Sequence, residues 1–100
     1  MLNQIVVVGR LFKMEEITED MSVIEMRVPR NFKNEAGEYE DDYILCVLKG
    51  SIATNTKEYC SIGDVIGVKG RMARKENEEA MQIIAEKVTF LSSKSKEENE

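Results

Sequence analysis

The pattern of apolar and polar positions divides the chain into short segments of strand character. In Ser22–Val28 apolar residues occupy every second position, and Gln4–Val8 is a β-branched run. A period of two indicates a strand with one buried face, and a short β-branched run indicates a buried strand. The five strands predicted in this way are Gln4–Val8, Ser22–Val28, Tyr43–Lys49, Asp64–Met72 and Met81–Leu91.

The same alternation predicts which side chains face the core. The inward residues expected in the second, third and fourth strands are Ile24, Met26 and Val28, then Ile44, Cys46 and Leu48, then Ile66, Val68 and Met72. Pro29 cannot donate to a sheet ladder, so it marks the end of the second strand or an edge. Polar residues fill Glu15–Asp20, which predicts a connection, and Phe32–Asp42 has the composition of a long hairpin.

One helix is predicted between the third and fourth strands, over Ile52–Cys60. Ser51 is a residue type that caps helix N-termini, and Gly63 fits the position just past a C-terminus. Thr56 and Tyr59 fall on one side of this helix, so Tyr59 is expected in the core. Three strands, a helix and two more strands predict a small closed barrel, because closure removes exposed strand edges.

Length and composition exclude several classes of function. The chain has 100 residues, which is one domain's worth, and no stretch approaches the roughly 20 apolar residues of a membrane span. Met1–Arg10 lacks the features of a secretion signal, so we expect a cytoplasmic protein with Cys46 and Cys60 as reduced thiols. Without histidine, catalytic triads, Cys–His dyads and HExxH metal sites cannot be built. We therefore expect no catalysis, no metal and no cofactor.

The net charge of −5 argues at first against a nucleic-acid partner. However, twelve of the 19 acidic residues lie in three short segments that have the character of loops, Glu15–Asp20, Glu35–Asp42 and Glu76–Glu79. The basic residues more often lie on or beside predicted strands. Because the arrangement of charge decides the local potential, a basic groove on an acidic body is compatible with this sequence.

Four segments of the chain carry a family likeness. They are NQIVVVGRL, VPRNFKNEAGEYEDDYILCVLKG, TKEYCSIGDVIGVKGRM and AEKVTFL. In their order and near spacing they resemble the bacterial single-stranded DNA-binding protein family. The resemblance implies an all-β, five-stranded OB-fold barrel at residues 1–91, followed by a short polar tail at residues 92–100 that we expect to be disordered. It also implies a homotetramer that binds and protects single-stranded DNA, independently of sequence, in replication, recombination and repair, in a bacterial nucleoid or encoded by a phage or mobile element.

The resemblance also implies site residues. Phe32 matches the family's aromatic after the second strand, and Tyr43 matches the aromatic that opens the third strand. Stacking of a base on such a ring contributes about 1–3 kcal/mol and tolerates any base; the alternative for each ring is plain packing on the barrel. The basic residues predicted to contact phosphates are Arg10, Arg30, Lys33, Lys49, Lys69, Arg71 and Arg74.

Three features depart from the family's pattern. Lys49 stands where an aromatic often ends the third strand, the chain has no tryptophan, and the tail ends at Glu100 without a hydrophobic tip. We expect from this weaker stacking, a smaller site per subunit and no tail-mediated recruitment of partners. The acidic balance, the missing aromatics and the missing tail tip favour an alternative function, in which the chain resembles the dimeric primosomal relative of the family and acts mainly through protein–protein contacts.

Overall fold

The computed structural model describes residues 1–92, which form five strands and one helix. In chain order the elements are β1 (Ile5–Thr18), β2 (Met21–Lys33), β3 (Tyr39–Lys49), α1 (Ser51–Tyr59), β4 (Val65–Ala73) and β5 (Gln82–Ser92). The number, type and order of these elements are those that the sequence predicts. The polar tail predicted at residues 92–100 lies, from residue 93 onward, outside the described residues.

The five strands close into one barrel in the order β1-β2-β3-β5-β4. β1 closes the ring because its first part, Ile5–Arg10, pairs with β4, and its later part pairs with β2. The strand pairs are antiparallel except β3 with β5, which is parallel and short. The predicted fold class, an all-β barrel of five strands with one helix between β3 and β4, is confirmed.

The inward faces of the strands form one apolar core. The inward residues predicted for β2, β3 and β4 are those observed, with Val28, Ile44 and Met72 half-buried against the fully buried ones. α1 packs on β3 and β5 and buries Ala53 and Thr56. The fully buried side chains with the largest volumes include Leu11, Ile24, Met26, Leu48, Ile66 and Val68.

β1 is longer than the sequence predicts. The Glu15–Asp20 segment, expected to be a connection, continues β1 as far as Thr18 and pairs with β2, for example through Glu15 and Val23. The prediction was wrong because every β1 residue after Met14 is exposed. A strand without a buried face shows no apolar–polar alternation, which is the signal that identifies strands in a sequence.

β2 continues through Pro29, where the sequence predicts an end or an edge. The ladder with β3 is regular up to the Pro29–Asp41 pair and resumes at the Lys33–Tyr39 pair. Pro29 lies at the start of this irregularity, where a residue without an N–H is tolerated. The result is a projecting β-hairpin, here called the β2–β3 arm (residues 29–42), in the region where the sequence predicts a long hairpin.

The helix differs from its prediction in three details. Gly50 occupies the N-cap position with φ of 62°, no side chain caps the first turn, and Ser51 is the first helical residue. Tyr59 is 64% exposed rather than in the core, because it lies in the last turn of α1. Gly63 lies in the following turn with φ of 99° rather than at the helix end. No helix within residues 1–92 has the length and apolar character needed to cross a membrane.

Gly70 lies where β4 and β5 approach each other closely. A Cβ at this position would overlap the backbone oxygen of Ile84, whereas a Cβ at Gly67 would lie 3.7 Å from its nearest neighbours. We expect Gly70→Ala to lower the free energy of unfolding by about 1–3 kcal/mol, the usual cost of overpacking. Urea denaturation followed by circular dichroism measures this change. Arg71→Ala, at an exposed position of the same strand, is the control, and equal destabilisation by the two substitutions would contradict the prediction.

Candidate nucleic-acid interface

The outer face of β1, β2 and β3 brings side chains from three distant segments together. We call it the β1–β3 face. Neighbouring strands lie about 4.8 Å apart, so a row across three strands spans about 10 Å. The strand register aligns two such rows, Arg10–Arg27–Tyr43 and Lys13–Glu25–Leu45.

Phe12 points onto this face because of a bulge in β1. Leu11 pairs with Met26 and Lys13 pairs with Glu25, so Phe12 is an extra residue opposite the regular β2 ladder. A bulge of this kind re-aims a side chain. Leu11 therefore enters the core, where it is 1% exposed, while Phe12 stays 39% exposed on the outside.

Phe12 and Tyr43 form an aromatic pair across β2. Their ring centroids are 5.1 Å apart at an interplanar angle of 64°, which is an edge-to-face arrangement. Tyr43 is 50% exposed, so the pair is open to solvent. Two exposed rings on a strand face are a platform for a flat apolar ligand rather than part of the core.

An open groove lies beside this ring pair. Its volume is about 530 Å³, within the range of roughly 300–1,000 Å³ that is typical of small-molecule sites. The apolar part of the lining includes Phe12, Leu45 and Ile62, and the charged part includes Lys13 and Glu25, with Glu15 also present. The Lys13 ammonium lies 5.7 Å from the centroid of the Phe12 ring, a cation–π arrangement.

Phe32 lies on the β2–β3 arm and not beside Tyr43. It is 62% exposed, next to the Lys33–Tyr39 pair, and Tyr39 is four residues from Tyr43 along β3. At about 3.3 Å per residue this is a separation of roughly 13 Å. Among residues 1–92 the ring contacts are Phe12–Tyr43 and Tyr59–Phe90. The two rings predicted from the sequence are thus both exposed, but Phe12, not Phe32, is the neighbour of Tyr43.

Arg30 is engaged within the arm. Its Nε and Nη2 donate to the Asp42 carboxylate at 2.8 to 3.2 Å, and its Nη1 donates to Glu40 at 2.7 Å. The hydrogen bond from Arg30 lowers the pKa of Asp42, and the hydrogen bond to Asp42 raises the pKa of Arg30. Because two carboxylates already accept from this guanidinium, its geometry fits a brace across the arm better than the predicted phosphate contact.

The other predicted cations are dispersed over the barrel. Arg10 is on the β1–β3 face, where its Nη1 donates to the Gly63 carbonyl at 2.7 Å. Lys33 is on the arm, with its ammonium 5.8 Å from the centroid of the Tyr39 ring. Arg74 donates to the carbonyls of Lys75, Glu76 and Glu78, and so holds the turn after β4.

Two of the predicted cations, Lys69 and Arg71, lie outside the β1–β3 face, and Lys49 lies at its far end. Lys69 and Arg71 are exposed on β4, where Lys69 pairs with Val6. Arg71 lies 3.9 Å from the Glu86 carboxylate. Lys49 is at the far end of β3, opposite Met21. The structure therefore does not gather all of the predicted cations into one groove.

The sequence predictions missed the residues that line the groove, among them Phe12, Lys13, Glu25 and Ile62. Phe12 and Lys13 lie beyond the predicted first strand, and only the bulge brings both side chains to one face. Ile62 follows α1 and reaches the groove because Gly63 N donates to the Leu11 carbonyl at 2.8 Å. The sequence did contain one signal for these residues: the alternation in β2 places Glu25 on the side of the strand that faces away from the core.

The described residues contain no group of three or more Cys, Asp and Glu side chains able to hold a metal ion. Both thiols are buried. Burial raises the pKa of Cys46 to about 11, and burial together with the nearby Asp64 carboxylate raises the pKa of Cys60 to about 11. A thiol with a raised pKa is a poor nucleophile, since the thiolate is the reactive form.

The sequence matches a family model and several curated proteins. The model of the single-strand binding protein family matches residues 2–91. Single-stranded DNA-binding protein B of Bacillus subtilis is 36% identical, over 97% of this chain and 96% of its own length. The single-stranded DNA-binding protein of Staphylococcus epidermidis is 34% identical, over 96% of this chain and 81% of its own length.

Solved structures with the same fold share little sequence with this chain. A Plasmodium falciparum SSB in complex with ssDNA superposes with a TM-score of 0.68 at 16% identity, covering 92% of this chain and 96% of that one. The small single-stranded DNA-binding protein of Streptomyces coelicolor gives a TM-score of 0.62 at 15% identity, with coverages of 91% and 95%. These likenesses support the barrel fold and its helix position.

The raised thiol pKa values predict slow reaction of the native protein with thiol reagents. At about pH 8 we expect Cys46 and Cys60 to react with dithionitrobenzoate only after unfolding in urea, because both are buried and protonated. The thiols of the unfolded chain ionise at a lower pH than those of the folded protein. The raised thiol pKa values therefore contribute to the free energy of unfolding below about pH 9, and this contribution is lost as the pH rises toward 11. Rapid stoichiometric labelling of the native protein would contradict the prediction.

Proposed function

Since the chain belongs to the single-strand binding protein family, we propose that it binds single-stranded DNA on the β1–β3 face and performs no catalysis. The observation that carries the proposal is the exposed Phe12–Tyr43 ring pair beside the groove. The curated relatives are named single-stranded DNA-binding proteins, and one solved structure of the same fold is a complex with ssDNA.

Tyr43, Phe12 and Phe32 are the proposed stacking residues. Every base has a π face, so stacking contributes about 1–3 kcal/mol per base whatever the sequence. Phe12 and Tyr43 meet edge to face and are 39% and 50% exposed, so part of each side chain is open to a base. Phe32 is a separate platform on the β2–β3 arm, so the proposed DNA path runs from the groove along the arm.

Three cations flank this path and are proposed to contact phosphates: Arg10, Arg27 and Lys33. Arg27 lies between Arg10 and Tyr43 in the strand register, and Lys33 lies beside Phe32 on the arm. Such contacts provide affinity that depends on salt and not on sequence. The net charge of −5 opposes them only weakly, because salt screens exposed charges that lie more than about 10 Å from the contact.

The remaining predicted cations either bind other groups of the protein or lie away from the proposed DNA path. Arg30 donates to two carboxylates and Arg74 donates to three backbone carbonyls, and we assign them to the stability of the arm and of the β4–β5 turn. Phosphate contacts by Lys49, Lys69 and Arg71 stay predictions. Contact with Lys49 requires a DNA strand that reaches the far end of β3, and contact with Lys69 and Arg71 requires one that leaves the β1–β3 face and continues around the barrel.

The biological role follows from the proposed partner. We propose that the protein protects single-stranded DNA in the cytoplasm during replication, recombination and repair. The alternative function, a primosome-like accessory protein that acts mainly through protein contacts, predicts marginal DNA binding. A titration with a labelled oligonucleotide therefore separates the two functions.

A second exposed surface favours self-association. Val6 and Val8 on β1 are 65% and 51% exposed, and Leu91 on β5 is 52% exposed. Val8 and Leu91 flank Gly67, because a Cβ there would lie 3.7 Å from both side chains. A small barrel gains stability by covering such a surface. We propose that this face joins copies of the chain in a homo-oligomer, and the homotetramer or dimer predicted from the sequence stays a prediction.

Removal of a stacking ring should weaken DNA binding. We expect Tyr43→Ala, Phe12→Ala and Phe32→Ala each to lower the affinity for oligo-dT by about 1–3 kcal/mol, the contribution of one stacked base. Fluorescence anisotropy of a labelled oligonucleotide measures the affinity. The same titration at rising salt counts phosphate contacts, because log affinity falls by about 0.7 per contact for each unit of log salt.

Tyr59→Ala is the matched control for these variants. Tyr59 is 64% exposed, comparable to Tyr43, but lies on α1 outside the β1–β3 face, so its loss should leave binding unchanged. Wild-type affinity in both Phe12→Ala and Tyr43→Ala would show that the DNA site is elsewhere.

A charge in the apolar face should dissociate the oligomer. We expect Val8→Glu to shift the mass measured by light scattering toward that of the 11.4 kDa chain, because a buried unpaired carboxylate is costly. Ile17→Glu is the control, since Ile17 is also an exposed β1 residue, 46% accessible, but lies in the hairpin with β2. Retention of the wild-type mass by Val8→Glu, with its circular dichroism unchanged, would place the interface elsewhere.

A further inference from the structure

Tyr39 is an exposed aromatic residue of the β2–β3 arm that the family resemblance does not include among the site residues. It is the first residue of β3 and is 64% exposed. Neither of the ring contacts among residues 1–92 involves it, and it lies outside the apolar core. The ring is therefore open to a ligand that approaches from solvent.

The alternation of β3 sets Tyr39 on the same side of the strand as Tyr43. β3 runs without interruption from Tyr39 to Lys49, and side chains four residues apart in a strand point to the same face. The half-buried side chains of Asp42 and Ile44 occupy the opposite side. Tyr39 therefore extends the β1–β3 face along the arm, roughly 13 Å from Tyr43.

The contacts of Arg30 agree with this orientation. Its guanidinium donates to both Glu40 and Asp42, which alternate with Tyr39 and Tyr43 along β3. Because one side chain reaches both carboxylates, they lie on the same side of the arm, and the two tyrosines lie on the other. The charge of Glu40, next to Tyr39 in the chain, is thus paired on the far side of the arm.

Each of the two tyrosines has a cation directly opposite it on β2. Arg27 pairs with Tyr43, and Lys33 pairs with Tyr39. The Lys33 ammonium lies 5.8 Å from the centroid of the Tyr39 ring, close to the limit of about 6 Å for a cation–π contact. A ring on β3 beside a cation on β2 therefore occurs twice along this face.

The acidic residues of the arm favour one side of it for phosphates. Asp41 lies between the two tyrosines on their side of β3, and Glu38 directly precedes β3; both are exposed. Because these carboxylates repel a phosphate, the phosphates are favoured along β2, beside Arg27 and Lys33, and the bases over the rings on β3. A single strand covers about 4–16 nucleotides on one OB barrel, so one strand can contact both rings.

We propose that Tyr39 is a further base-stacking residue, and that the strand is held by two ring–cation units, Tyr43 with Arg27 and Tyr39 with Lys33. The inference rests on the proposed function, because it concerns the same DNA site. It adds a contact on the arm that no residue predicted from the sequence provides. Stacking on Tyr39 accepts any base, so binding stays independent of sequence.

The test is a titration of labelled oligo-dT by fluorescence anisotropy at several salt concentrations. We expect Tyr39→Ala to lower the affinity by at least about fivefold, the lower end of the contribution of one stacked base. Tyr39→Phe keeps an aromatic ring and should bind as the wild type does. The slope of log affinity against log salt should be unchanged in both variants, because the tyrosine ring neutralises no phosphate.

Two further variants separate stacking from other effects of the substitution. Tyr59→Ala is the matched control, since Tyr59 is also 64% exposed but lies on α1, and it should keep the wild-type affinity. Tyr39→Ile retains a residue type that favours strands but lacks the ring, so it should lose as much affinity as Tyr39→Ala. Wild-type affinity in Tyr39→Ile would show that strand preference matters and the ring does not.

The outcomes distinguish this inference from the proposed function. Wild-type affinity in Tyr39→Ala, together with weakened binding in Tyr43→Ala, would overturn the role of Tyr39 and leave the proposed function intact. A smaller salt slope in Tyr39→Ala would overturn stacking as well, because it would mean that Tyr39 acts only by holding Lys33 at a phosphate. Failure of the wild-type protein to bind oligo-dT at low salt would overturn the proposed function, and this inference with it.

Discussion

The double pairing of β1 is the constraint on which the structure depends. One strand of fourteen residues pairs with β4 through its first part and with β2 through its later part, and this closes the barrel. Closure leaves the inward faces to a single apolar core and turns the alternate side chains outward. The β1–β3 face therefore has a rigid backbone, because each of its three strands is hydrogen-bonded to a neighbouring strand on either side.

The bulge in β1 converts that rigid wall into a site. By inserting Phe12 between two paired residues, it places an aromatic ring opposite Tyr43 without disturbing the burial of Leu11. A site built on strands keeps its geometry better than one built on loops. The β2–β3 arm adds Phe32 at a distance, and the Arg30–Asp42 contact stiffens the arm.

The position of the charged residues matters more for the proposed DNA site than the net charge of the chain. The acidic residues of the β2–β3 arm and of the turns give the chain its negative balance, while Arg10 and Arg27 form a row beside Tyr43. The arginine row lies next to the groove, and the phosphate contacts are proposed along this row. The proposed DNA path follows from the placement of this arginine row beside the exposed rings.

The sequence by itself determined the order of elements, the inward faces of β2, β3 and β4, the exposure of Tyr43 on a strand face, and the family. Periodicity and local motifs carry that information, because a half-buried strand repeats every second residue. Only the tertiary structure decided that β1 runs on through polar residues, that Phe12 rather than Phe32 meets Tyr43, and that Arg30 binds Asp42 and Glu40. These outcomes depend on strand register and on a one-residue bulge, and the contacts join residues far apart in the chain, for which a single sequence has no local signal.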